Sequence, residues 1–291
     1  MNAITERLFV AVQYLLPHHL LSRTVGWLAR SRTPWIKASF INVFIRRFKV
    51  DLSEAEIENP HDFATFNAFF TRTLKPGARP IAAGADRLAS PADGTVSQLG
   101  KLQGNDLLQA KGRYYSLLEL LGGDETLAGQ FSNGHFATIY LSPRDYHRVH
   151  MPCDGTLRET RYVPGRLFSV NTVTTAAVPR LFARNERLIC VFDTAAGPMA
   201  VILVGAMIVA GIETVFAGQV TPQSTTITHS DYRNRQAIEL PKGGELGRFL
   251  LGSTVILLFP EGQARFADAL GAGSPVRMGE DIGIFGPLEN H

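Results

Sequence analysis

Large apolar residues recur from Met1 to Val50 at spacings that suit short amphipathic helices. Leu8, Val12, Leu15, Leu20, Trp27, Trp35, Ile41, Phe44 and Phe48 are interleaved with Arg7, Arg23, Arg30, Arg32, Lys37, Arg46, Arg47 and Lys49, against the single acid Glu6. Pro17 and Pro34 divide the segment, because a proline stops the helix before it and opens the next. Farther on, Ser53 and Glu56 have the spacing of a capping box, and Phe63, Phe66, Phe69 and Phe70 follow at helical intervals, which predicts a helix with a core-facing aromatic stripe. Ser116 and Glu119 predict a second short helix before Gly122. Beyond residue 130 the pattern changes to apolar runs bounded by turn residues: Ala137 to Leu141, Leu188 to Phe192, Val201 to Val204 with Ile208 and Val209, and Thr254 to Phe259. The expected fold is α+β, with amphipathic helices over residues 1–60 and a β-rich domain over residues 61–291.

Composition narrows the class. A chain of 291 residues with 45% hydrophobic residues can bury a real core, and two cysteines argue against a disulfide scaffold and for a cytosolic setting. The net charge of +3 is small, but its excess lies in the N-terminal segment, where cations and aromatic rings together suit an anionic membrane surface. A basic-faced hairpin packed on its own domain is the alternative. Nucleic-acid binding is not expected, because the basic residues are spaced among large apolar ones. Gln13, Pro17, His18 and His19 interrupt any signal-peptide core. The longest apolar run, Met199 to Ile212, is shorter than the roughly 20 residues of a spanning helix.

The chemistry centres on Leu251-Gly252-Ser253-Thr254. A serine after a side-chain-free glycine can attack the preceding carbonyl with little hindrance, and β-elimination of the resulting ester followed by hydrolysis would leave a pyruvoyl group at residue 253. Gly-Ser-Thr also reads as an ordinary bend entering a strand. A phosphate-binding loop fits poorly, because Ser253 stands where its lysine would be and Arg248-Phe249-Leu250-Leu251 is bulky. His147 and His150 supply bases near neutral pH, and Asp93, in a turn before an apolar strand, can orient an imidazole. Those residues could equally form an Asp-His-Ser hydrolase with an uncut chain. With Cys153 and Cys190 as the whole thiol supply, no metal site is expected.

Six motifs occur in one order: Phe69 to Pro80 (FFTRTLKPGARP), Ser90-Pro91-Ala92-Asp93-Gly94, Gln109-Ala110-Lys111-Gly112, Arg144 to His150 (RDYHRVH), Tyr162 to Asn171 (YVPGRLFSVN) and the Gly252-Ser253 junction. Together they resemble the bacterial phosphatidylserine decarboxylase proenzymes. The resemblance implies a self-cut between Gly252 and Ser253 into a large chain 1–252 and a small chain 253–291. The pyruvoyl group derived from Ser253 would form a Schiff base with phosphatidylserine and release carbon dioxide and phosphatidylethanolamine. It further implies that Asp93 and His150 serve the self-cut, that His147 serves decarboxylation, and that Ser169, Val170 and Asn171 lie near the head group. A homodimer on the cytoplasmic face of the inner membrane is expected on the same ground. The turns around Asp93 and around Pro275 to Gly283 also look like those of lipoyl carrier domains. That likeness predicts a barrel-sandwich architecture but no carrier function, because Lys242 sits in Pro-Lys-Gly-Gly.

Overall fold

The computed structural model describes residues 3–207, 211–221, 224–250 and 252–287. Ile208, Val209 and Leu251 lie outside the described residues. Three helices open the chain, Ala3–Leu15, His18–Ala29 and Pro34–Phe48, and they break where Pro17 and Pro34 dictate. No helix is long and apolar enough to cross a membrane among the described residues.

An antiparallel sheet forms the body. Its strands run in the spatial order Thr228–Asp231, Gly155–Val163, Arg187–Thr194, Gly197–Gly205, Ser253–Phe259, His135–Leu141, Gly94–Lys101 and Pro275–Val276. Both faces are buried, which explains why the central strands read as unbroken apolar runs instead of alternating ones. Val201, Leu203, Val255 and Leu257 pack on one face with Leu88, Val149, Ile282 and Phe285 from two smaller sheets. Ile202, Val204, Ile256 and Leu258 pack on the other with Leu117, Leu120, Phe131 and Phe182 from short helices. Each of these larger side chains contributes about 2 kcal/mol on burial.

The barrel-sandwich expectation is corrected by this topology. No sheet closes on itself among the described residues, because the main sheet ends in two unpaired edges and its faces are covered by separate layers. The capping box at Ser53 is also corrected. Glu56 N and Lys75 N bond to Thr73 O and Glu54 O, which draws residues 54–56 into extended pairing, and the Glu56 carboxylate accepts from the Thr73 hydroxyl. The helix begins later, at Phe66–Phe70, capped by Thr65. Its phenylalanines are core, as expected. They join Phe63, Ala29 and Ile41 in a third cluster that crosses residue 60, with the Phe40 and Phe44 rings 4.8 and 5.1 Å from Phe66.

The first two helices dock largely through small and polar groups, whereas the third contributes Ile41, Phe40 and Phe44 to the core. His18, Ser22, Gly26 and Ala29 are the buried positions of their helix, Gln13 Oε1 accepts from Ser169 N at 2.9 Å, and His18 Nδ1 accepts from Leu167 N at 3.3 Å. Several large apolar residues of these three helices point outward. Leu8, Leu15, Leu20, Trp27 and Trp35 are each at least 63% exposed.

Candidate active site

Ser253 opens a central strand, and its neighbours across the sheet are Leu141 and Gly205. The side chain is fully buried, and its hydroxyl has no hydrogen-bond partner. A buried hydroxyl left unpaired costs about 1–3 kcal/mol, and the next residue, Thr254, carries one as well, so what sets Ser253 apart is the glycine that precedes it. Gly252 has φ of +40°, in the left-handed region where a side chain would be strained. An orphaned hydroxyl behind a left-handed glycine is the arrangement that attack on the Gly252 carbonyl requires.

The turn after the strand His135–Leu141 carries the histidines toward this junction. Phe249 N donates to His147 O at 3.1 Å, which fixes the His147 backbone to the segment that leads into Gly252. The His147 ring is buried against Phe70, with centroids 4.0 Å apart, and Nδ1 donates to Asp145 O at 2.8 Å. That bond sets the tautomer and leaves a bare lone pair on Nε2, which has no partner. Burial, helped by the charge of Arg72 and opposed by the Asp145 carbonyl, pushes the imidazole down from 6.5 to about 3.

His150 sits in the strand Arg148–His150 with both ring nitrogens engaged. Nδ1 donates to Gly243 O at 2.8 Å, and Nε2 accepts from the Tyr146 hydroxyl at 3.0 Å. Burial lowers its pKa; the Gly243 carbonyl and the charges of Glu245 and Asp93 oppose that, while Arg148 adds to it.

Asp93 lies beside this group, because His150 N donates to Pro91 O at 2.8 Å. Its carboxylate, however, faces the other way. Arg79 Nε and Nη2 donate to its two oxygens at 2.9 and 2.6 Å, and Met278 N donates to Oδ1 at 2.8 Å. The carboxylate–imidazole hydrogen bond expected of a triad is therefore not made here. A bidentate guanidinium is the stronger partner, and the Gly243 carbonyl already takes the imidazole proton. Asp93 also ties the loop at Met278 to the turn before Gly94, supported by Gly279 N to Ser90 O at 2.9 Å.

The three residues expected near the head group also make structural contacts. Ser169 N is bound by Gln13, Val170 belongs to the core, and the Asn171 side chain caps the helix Thr172–Ala177 by accepting from Val173 N and Thr174 N. Sequence reading gave no role to Tyr146 or Arg79. Both stood inside quoted motifs, so position was legible, but only folding shows that one touches His150 and the other Asp93.

Two buried neutral histidines make the fold acid-sensitive. Below about pH 6.5 an unfolded chain binds protons that folded His147 refuses until about pH 3, so stability rises with pH across that window, on the order of 1.4 kcal/mol per unit for this group. Urea unfolding of His147→Gln should show a shallower loss of stability between about pH 7 and about pH 4 than the parent chain. Equal slopes would mean that His147 is not held neutral.

Comparison with known proteins agrees with this geometry. A family model described as phosphatidylserine decarboxylase matches residues 66–284, and a second, described as PSD, matches residues 8–49. A phosphatidylserine decarboxylase proenzyme of Alcanivorax borkumensis is 63% identical over 290 residues, covering 99% of this chain and 100% of the relative. Those of Stutzerimonas stutzeri and Pseudomonas aeruginosa are 58% identical over 280 residues and 59% over 281, each covering 96% of this chain and 94% and 97% of the relative. With the Gly-Ser junction, the histidine turn and the Asp93 loop gathered at one end of the sheet, and such identity along nearly the whole length, the chain belongs to the phosphatidylserine decarboxylase family.

Proposed function

We propose that this chain matures by cutting itself between Gly252 and Ser253 and then converts phosphatidylserine to phosphatidylethanolamine and carbon dioxide. The observation that carries the reading is the buried, unpartnered Ser253 hydroxyl behind a left-handed glycine.

In maturation, Ser253 Oγ attacks the Gly252 carbonyl carbon as its proton passes to His150, whose acceptor nitrogen Nε2 the Tyr146 hydroxyl must first release. The peptide bond breaks, an ester forms, and the amide nitrogen gains a proton. Asp93 acts on this imidazole by charge, because its oxygens are held by Arg79 and Met278 N. Loss of the Ser253 Cα proton to a base and cleavage of its Cβ–Oγ bond then free the Gly252 carboxylate and leave a dehydroalanine, whose imine tautomer water hydrolyses with release of ammonia. The pyruvoyl group so formed at residue 253 supplies an electron sink for decarboxylation.

In turnover, the substrate's amine reaches residue 253 already deprotonated, because burial keeps the resting His147 imidazole a weak base. His147 serves the proton transfer to the carbon that has lost carbon dioxide, through Nε2, its free ring nitrogen. An imidazole held near a pKa of about 3 is a strong acid once charged and gives its proton up readily.

An intact mass spectrum of denatured protein tests maturation. Two chains split between Gly252 and Ser253 are expected, the smaller lighter by one ammonia than simple hydrolysis would give. A single uncut chain from active protein would return the hydrolase reading.

The outward-facing apolar residues support attachment to a bilayer surface; its anionic lipid is proposed from the N-terminal cations, and its cytoplasmic face and a homodimeric state from the family resemblance alone. A self-packed hairpin would turn Leu15, Trp27 and Trp35 inward. Replacing these three with Ser is expected to lower vesicle flotation at least tenfold, since each loses about 2 kcal/mol of apolar burial. Undiminished flotation would exclude this surface. Truncation is the poorer test, because it removes Ile41 and Ala29 from the core.

A further inference from the structure

We infer that the cavity beneath the helix His18–Ala29 receives the lipid head group, with Arg23 and Arg30 at its rim binding the phosphodiester; the inference rests on the function proposed above. The cavity measures about 470 Å³ and is lined by Arg23, Arg30, Tyr162, Glu186, Gly205 and Ser224 among others. Gly205 is the direct cross-strand neighbour of Ser253. Opposed residues on antiparallel strands share a face, and Tyr162, Leu188, Leu203 and Val255 continue that face as one row of paired residues. Cavity and Ser253 therefore lie on the same side of the sheet, at the same end.

The charges are graded from rim to floor. Neither Arg23 nor Arg30 pairs with a carboxylate among the described residues, and Arg30 makes one long hydrogen bond, Nη1 to Gln219 Oε1 at 3.5 Å. His19, also at the rim, has Nε2 3.0 Å from Gly165 O. At the floor Glu186 is buried, its Oε1 accepts from the Tyr162 hydroxyl at 3.0 Å, and its main chain bonds Gly205.

That order matches one ligand chemistry. A phosphatidylserine head group has its phosphodiester beside the glycerol and its amine at the tip, so tip-first entry brings the ammonium toward the acid and the phosphodiester to the arginines. Leu20 and Trp27, exposed on the same helix, place the glycerol side toward the bilayer. Arg23, Arg30 and His19 are the basic lining residues, all at the rim, so the substrate carboxylate is left without a tight cationic clamp, as decarboxylation favours.

The test uses processed full-length enzyme with two water-soluble short-chain lipids: dibutanoyl phosphatidylserine as substrate, and dibutanoyl phosphatidylglycerol, which has the phosphodiester without the amine, as inhibitor. Arg23→Gln with Arg30→Gln is expected to raise both KM and the inhibition constant by about tenfold or more, with the change falling on these and not on kcat. Arg23→Lys with Arg30→Lys should recover most of the loss; if the double Gln chain is not processed, each single Gln change should show part of the effect. Inorganic phosphate should inhibit far more weakly than the lipid. Unchanged KM and inhibition constant would overturn the inference, as would phosphate inhibiting as strongly as the lipid and losing that effect in the variant, which would mark a free-phosphate site. Processed parent enzyme that fails to decarboxylate would instead overturn the function itself.

Discussion

A Ser253→Ala chain is expected to remain in one piece and to lose decarboxylase activity by on the order of 10⁴-fold or more. In the proposed scheme the hydroxyl is both the nucleophile for the cut and the source of the group that turnover needs, so one deletion removes both stages. The loss should not come from unfolding. Ser253 is fully buried and its hydroxyl unpaired, so alanine fits the same space and removes an unmet polar group whose burial costs about 1–3 kcal/mol. Intact mass should show the uncut chain, and its thermal midpoint should equal or exceed that of an uncut His150→Ala chain. A Ser253→Ala chain that still yields two fragments would place the cut elsewhere.

His147→Ala is expected to separate the two stages. The cut should proceed to completion, while kcat in the processed protein falls by about 10²- to 10⁴-fold, the usual contribution of a positioned acid–base group. The structure gives the reason for assigning His147 to turnover. Its Nδ1 is committed to Asp145 O, and its Nε2 alone among the two histidines' acceptor nitrogens is unoccupied, since His150 Nε2 receives the Tyr146 hydroxyl. Removing the ring also opens a space against Phe70, so a modest loss of stability accompanies the change. A processed His147→Ala enzyme with normal kcat would remove this residue from the proton path. An unprocessed one would move it into maturation.

Much of the scaffold could be read before folding was considered. The prolines placed the helix breaks, because a missing amide and a fixed φ act locally. The strands beyond residue 130 were visible as apolar runs, and Ser116 capped its helix as its spacing required. The capping box at Ser53 failed because pairing with residues 73–75, distant in sequence, outweighed a local preference worth about 1 kcal/mol.

The site divides along the same line. The Gly-Ser junction, the two histidines and Asp93 were legible as residue types, since their chemistry is a property of side chains in short motifs. Which nitrogen of His147 is free, that Tyr146 occupies His150, and that Arg79 holds Asp93 were not legible. Their partners stand close in sequence, but which atoms meet depends on loop conformation and burial that only the folded packing sets, and so does the cavity that joins the second helix to Gly205. The sequence by itself determined the candidate reacting groups, the helix breaks and the strand-rich body, because each follows from side-chain chemistry, local stereochemistry or periodicity. Only the tertiary structure decided the protonation of the imidazoles, the direction Asp93 faces and the open, layered sheet, because burial, charge and hydrogen-bond competition between distant segments set them.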